Sequence, residues 1–226
     1  MKYLATCAVL AGLLTFAVSY ASPAEEANKN DKKLADATAA YHELVTAPDR
    51  GVPAPLLEKC KCIAVLPGVI KAAVGYGARH GTGVMSCRGA SGWSTPAFVG
   101  ISGGSVGFQL GAESTDIVLF FMNDAGARSL MNGSRITLGG KASVAAGPFG
   151  RSGEAATDLK LQAQIYSYAR SKGLFAGVSL EGSRLAPNAE ANTGYYGAGV
   201  TYKQLLFGPR PTRVPAAAAA FTSALP

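Results

Sequence analysis

The chain has 226 residues, a formal net charge of +7, only 15% charged residues and 28 glycines. That composition argues against a helical bundle and for a turn-rich β protein, with enough length for one domain with a real core. The positive balance favours anionic surfaces, but the cations are scattered, with no arginine run interleaved with aromatics, which argues against nucleic acid.

Met1-Lys2 followed by the apolar run Leu4–Val18 and the small residues Ser19-Tyr20-Ala21 reads as a secretory signal peptide over residues 1–21. Cys7 lies too early in that run to be a lipoprotein cysteine with an apolar core ahead of it. No other stretch is long and apolar enough to span a bilayer, so membrane contact after cleavage is expected to be peripheral. The expected compartment is periplasmic or extracellular.

Residues 22–31 read as a flexible lead-in. From Lys32, the residues Leu34, Ala37, Tyr41, Leu44 and Val45 recur at helical spacing, with Asn30 or Asp31 as cap and Pro48–Gly51 as the stop. A short helical turn is expected at Pro53–Lys59, then a strand at Cys62–Pro67 ended by proline. Further strands are expected at Val74–Gly77, Gly83–Arg88, Ala97–Ser102, Ser105–Leu110 and the β-branched and aromatic run Thr115–Met122. Asn123 starts a predicted short helix through Met131. Strands resume at Ile136–Leu138, Ala142–Ala146, Leu161–Tyr168 and Leu174–Leu180, with helical segments beyond Asn192 and over Pro215–Leu225. The pattern predicts an α+β fold: an antiparallel, barrel-like β-sheet with an N-terminal amphipathic helix and short flanking helices.

Three motifs invite a chemical reading. Gly100-Ile101-Ser102-Gly103-Gly104 fits G-x-S-x-G, but a nucleophile elbow needs a helix after the serine, whereas here an alternating strand follows. Both histidines, His42 and His80, precede Ser102, so the hydrolase order is missing as well. Ser102 is expected to be a turn residue, with Gly103-Gly104 joining two strands. Gly75–Gly81 misses the dinucleotide fingerprint by one residue and lacks a βαβ setting. Glu113, Asp116, Asp124 and Glu181 include no isolated catalytic pair. No enzyme activity and no cofactor are expected.

Signal cleavage leaves Cys60, Cys62 and Cys87. An odd number in an oxidising compartment suggests one disulfide and one spare thiol. With His80 the three could also form a Cys/His zinc set, although the spacing matches no common zinc module; no metal is expected.

The segments CIAVLP, GYGARHGTGVMSCR, GWSTPAFVGISGGSVGFQLGAESTDIVLFFMN, AAGPFGR, YARSKGLFAGVSLEGS and NTGYYG, in this order, closely resemble the SYLF domain. That family includes yeast actin-binding SH3 proteins and lipid-binding proteins of animals and plants. The resemblance covers about Lys33 to Pro215, which sets a SYLF-like domain at 32–215 and an Ala/Pro-rich tail at 216–226. Secreted bacterial members are most similar, since no SH3 or FYVE module is present.

The resemblance implies a non-enzymatic module that binds acidic phospholipids, of the phosphoinositide type in eukaryotic members, with actin binding in fungal ones. Lipid contact in the family is attributed to a basic N-terminal segment. The matching cations here are Lys32, Lys33, Lys59 and Lys61, with Lys71 and Arg79 completing the candidate set. The resemblance also implies a Cys62–Cys87 disulfide, with Cys60 as the extra thiol. The expected partner is an anionic phospholipid surface, with a protein partner as the second class.

Overall fold

The computed structural model describes residues 22–47, 51–74, 76–106, 111–123, 128, 135–139, 143–148, 163–171 and 174–226. Helix α1 (Pro23–Thr46) starts well ahead of Lys32: Ser22, not Asn30 or Asp31, is its N-cap, its Oγ accepting from Glu25 N–H at 3.3 Å. The segment expected as a flexible lead-in is therefore helical. Its Ala, Glu and Lys residues are good helix formers whose polarity hid the helix from a periodicity reading. Asp31 instead accepts a hydrogen bond from the Tyr195 hydroxyl. Leu34, Ala37, Tyr41 and Leu44 form the expected apolar stripe and are all buried. Helix α2 (Ala54–Lys59) occupies the expected turn.

Strand β1 (Cys62–Val74) does not stop at Pro67. It passes through a bulge there, where its register shifts against both neighbours, and Gly68 takes φ +64°. It pairs with β2 (Tyr76–Gly89) as a long antiparallel hairpin, so Val74 closes β1 and Tyr76 and Gly77 open β2, and the expected separate strand over Val74–Gly77 is not formed. The two-residue β3 (Gly92–Trp93) pairs back onto β2. Gly83 allows β1 to come close at the bulge, since a Cβ there would lie 2.1 Å from the Val65 carbonyl oxygen.

β4 (Ala97–Val106) runs unbroken through Ser102, Gly103 and Gly104, which corrects the expected turn. Gly103 is required for a different reason: a Cβ on it would meet Ser183 Cα at 2.9 Å. The rest of the expected strand, residues 107–110, lies outside the described residues. β5 (Gly111–Phe121) is the β-branched run, and the helix expected from Asn123 falls almost wholly outside the described residues.

The remaining strands are β6 (Ile136–Thr137), β7 (Val144–Ala146), β8 (Ile165–Ser171), β9 (Leu174–Gly177) and β10 (Arg184–Pro187). The sheet order is β6-β10-β4-β2-β1-β5-β8-β7, with β3 on β2 and β9 on β8; every pair is antiparallel except β7 with β8. The result is the expected α+β fold, a strongly curled half-barrel sheet.

Each face of the central strands carries its own core. One holds Cys62, Ala64, Leu66, Met85, Ile117 and Leu119, and is closed by Tyr202, Leu205 and Leu206 of helix α4 (Tyr202–Phe207). The other holds Ile63, Val65, Val84, Phe98, Val118 and Phe120 beneath α1. Helix α3 (Ala189–Tyr196), capped by Asn188, is pinned to β4 by Asn192, whose side chain accepts from Phe98 N–H at 2.7 Å and donates to its carbonyl at 3.0 Å. Helix α5 (Ala216–Ser223) was expected within a tail outside the domain, but Ala218, Phe221 and Leu225 are buried in the second core against α1.

Candidate functional site

The six candidate cations fall into three separate places. Lys32 and Lys33 lie on α1. Lys32 is exposed and pairs with Asp36 one turn on, at 2.7 Å. Lys33 is half-buried, and desolvation lowers its pKa against a smaller opposing effect of Asp36. It stands between two polar clefts along the edges of α1. One, of about 320 Å³, is also lined by Asp36, Glu43, Pro67, Asp116 and Arg170. The other, of about 180 Å³, is lined by Lys29, Thr82, Asn188 and Glu190 among others.

The first cleft holds an ion network between α1 and the sheet. Arg170 on β8 pairs with Glu43 of α1, its Nε lies 3.8 Å from Asp116 Oδ2, and Asp116 Oδ1 accepts from Gly68 N–H at 2.9 Å. These charges satisfy one another and hold α1 down, so the cleft is an anchoring seam with little net charge to offer a ligand.

Lys59 and Lys61, both exposed, flank Cys60 at the start of β1. The Lys61 backbone is tied to both neighbouring strands: its N–H donates to Phe121 O and its carbonyl accepts from Arg88 N–H, each at 2.7 Å. Lys71 and Arg79 lie at the other end of the same hairpin, roughly 30 Å away at about 3.3 Å per residue. They are direct cross-strand partners, with Ile70 opposite His80 one step nearer the core and Ala72 opposite Ala78 one step further out. The Arg79 guanidinium donates to Ser183 Oγ at 3.0 Å, and partial burial lowers its pKa. On its other side Lys71 faces Glu113 of β5.

Ser102 is exposed on the face that α1 covers further along the sheet. His80 is its direct neighbour across β2 and β4, and Arg184 its neighbour on β10. This serine–histidine adjacency is not visible in the sequence reading, which leaves His80 in a loop between the expected strands Val74–Gly77 and Gly83–Arg88. No hydrogen bond joins the two among the described residues. The row that contains them, Arg184, Ser102, His80, Ile70 and Ser114, has no carboxylate to orient an imidazole. Neither does a helix start at Ser102 to provide an oxyanion hole. Among the described residues no cluster of three or more His, Cys, Asp or Glu could hold a metal.

Cys62 and Cys87 form a disulfide, and Cys60 is a buried free thiol. Burial pushes the Cys60 pKa up to about 11 despite the nearby Arg88. A zinc set of the three cysteines with His80 is ruled out by this bond, and His80 belongs to the other end of the hairpin.

Residues 102–226 match the family described as "Las17-binding protein actin regulator" (Ysc84). The chain is 38% identical over 187 residues to the human SH3 domain-containing YSC84-like protein 1, an alignment covering 80% of this chain and 54% of the relative. The Xenopus laevis protein of the same name is 40% identical over 169 residues, covering 73% and 50%. Protein YSC84 of Saccharomyces cerevisiae is 39% identical over 163 residues, covering 71% and 35%. The chain thus spans about half the length, or less, of these curated relatives.

Proposed function

Because the chain belongs to the Ysc84 (SYLF) family, we propose that it is an exported, non-enzymatic module that binds anionic phospholipid surfaces peripherally. The observation that carries this reading is the disposition of its cations. Lys59 and Lys61 are exposed with no acidic partner among the described residues, and Lys71 and Arg79 are held side by side at a sheet end. Export rests on the pattern of residues 1–21 and would bring these cations to an envelope or extracellular surface. No described helix is long and apolar enough to cross a membrane, in keeping with attachment at the surface.

The attraction is counter-charge, so it falls with added salt. Co-sedimentation with phosphatidylcholine vesicles with and without phosphatidylglycerol tests it. Binding that needs the anionic lipid and weakens with salt is expected; equal recovery on neutral vesicles, or none on either, overturns it. A second reading, a protein-binding module, is favoured by the matched family's description as Las17-binding. It predicts a reproducible protein crosslink and no vesicle recovery.

A further inference from the structure

We propose that the cleft between α1, α3 and the sheet is a receptor for a small zwitterion, a molecule with a primary ammonium and an oxyanion close together, as in an α-amino acid or phosphoethanolamine. This site goes beyond the membrane reading, since it is a recess of about 180 Å³ and not an outer surface. At roughly 30 Å³ per water, that space holds about six waters, or one molecule of this size.

The cleft contains polar side chains with nothing to bond to. Asn30 is 7% exposed and lines the cleft, and its amide makes no hydrogen bond among the described residues. A buried amide without a partner lowers stability, and asparagine is a poor residue for a helix interior. Nothing in the packing of α1 therefore calls for it. Thr82, half-buried on β2, lines the same cleft, and its hydroxyl is likewise unbonded among the described residues.

Lys33 adds a charge. The carboxylates around it are engaged elsewhere: Asp36 with Lys32 at 2.7 Å, Glu26 with Lys29 at 3.7 Å, and Asp116 with the Gly68 N–H at 2.9 Å and with Arg170. Lys33 itself forms no ion pair among the described residues. Burial lowers its pKa, as expected of a cation that has given up water without gaining a partner.

The opposite sign stands on the other helix. Glu190, in the first turn of α3, lines the cleft and pairs with no cation among the described residues. It is not among the groups that shift the Lys33 pKa, so the two charges share a small recess without meeting. A lone anion would satisfy Lys33 and be repelled by Glu190, and a lone cation the reverse. A zwitterion satisfies both. Its oxyanion takes Lys33, the Asn30 amide N–H and the Thr82 hydroxyl, and its ammonium takes Glu190. Phe98 and Ala191 give its carbon atoms an apolar wall.

Calorimetric titration of the full chain with L-alanine and with O-phosphoethanolamine tests the site, with acetate and methylamine as single-charge controls. Saturable binding of at least one zwitterion is expected, with both controls weaker by about tenfold or more, because each lacks one charge-assisted hydrogen bond. Alanine binding assigns the site to free amino acids; binding of phosphoethanolamine alone assigns it to the ethanolamine headgroup. Lys33→Met and the exposed-site change Glu190→Gln should each weaken binding by about tenfold or more. Asn30→Ala should weaken binding while the melting temperature holds or rises, which a packing role would not give. No binding of either zwitterion at millimolar concentration, acetate binding as tightly as alanine, wild-type affinity in Lys33→Met and Glu190→Gln, or a clear fall in the melting temperature of Asn30→Ala overturns the assignment. Vesicle sedimentation reads the membrane contact separately: its failure overturns peripheral binding and leaves this site standing.

Discussion

The indole N–H of Trp93 donates to the carbonyl oxygen of Pro226 at 2.6 Å, tying β3 to the last residue of the chain. Arg210 reinforces this corner by donating to the Trp93 carbonyl at 2.8 Å, and the Arg88 guanidinium lies over the indole ring, 4.8 Å from its centroid. Helix α5 is thereby a structural wedge over α1, with Phe221 fully buried. Phe221→Ala should cost about 3–5 kcal/mol, and Trp93→Phe, which deletes the hydrogen bond and part of the buried ring under Arg88, about 1–3 kcal/mol. Urea unfolding measures both; a loss below about 1 kcal/mol for Phe221→Ala would contradict the packing of α5.

The Cys62–Cys87 bond spans 25 residues of sequence. Replacing both cysteines by serine should lower stability by about 3 kcal/mol in the chain-entropy description. Mass spectrometry of the unreduced protein should yield the Cys62–Cys87 peptide pair, and a Cys60–Cys87 pair would refute the assignment. Cys60 should resist alkylation in the native state and react on unfolding, because it is fully buried and its thiol is held protonated.

The same burial makes the protein sensitive to base. The folded-state pKa of Cys60 is raised from 9.0 to about 11, and desolvation also raises those of Tyr41, Tyr168 and Tyr202. With raised values, the unfolded chain releases protons first, so stability is fully present below the ordinary pKa and is lost as pH rises through the folded one. Melting temperature by circular dichroism should hold steady around neutrality and fall above about pH 9. Cys60→Ser should show a shallower fall between 9.0 and about 11; an identical slope would show that the tyrosines alone carry the effect.

Two small substitutions separate chemistry from architecture. Ser102→Ala should change stability by less than about 0.5 kcal/mol, since the side chain is exposed and makes no hydrogen bond among the described residues. Gly83→Ala should cost about 3 kcal/mol, because its new Cβ would press on the β1 backbone. Equal stability of the two variants would mean that β1 does not fold over β2 at that point.

Much of this architecture is legible in the residues. The continuous apolar run of β5, the apolar stripe of α1 and the alanine-rich α5 announce themselves because burial on a regular lattice leaves a period or a run. The errors within the sheet share one cause: proline and glycine were read as terminators. Pro67-Gly68 is a bulge inside β1, and Gly103-Gly104 lies inside β4, where Ser183 packs closely against Gly103. A glycine demanded by a close neighbour looks the same in sequence as one demanded by a turn. Ending those strands early separated Lys71 from Arg79 and Ser102 from His80, so the row at the sheet end could not be assembled. The exposed Ile70 was likewise missed, although the alternation Val69, Ile70, Lys71 beyond the proline was there to be followed.

The position of the disulfide has a bearing on how the chain finds this fold. Glycine-rich strands specify their alignment weakly, and a slip of one residue would turn every side chain of β2 to the wrong core. Cys62 and Cys87 are direct partners in the hairpin ladder, so their oxidation indexes the two longest strands against each other at a single setting. Every later pairing, of β4 on one side and β5 on the other, is then assembled on an already calibrated template.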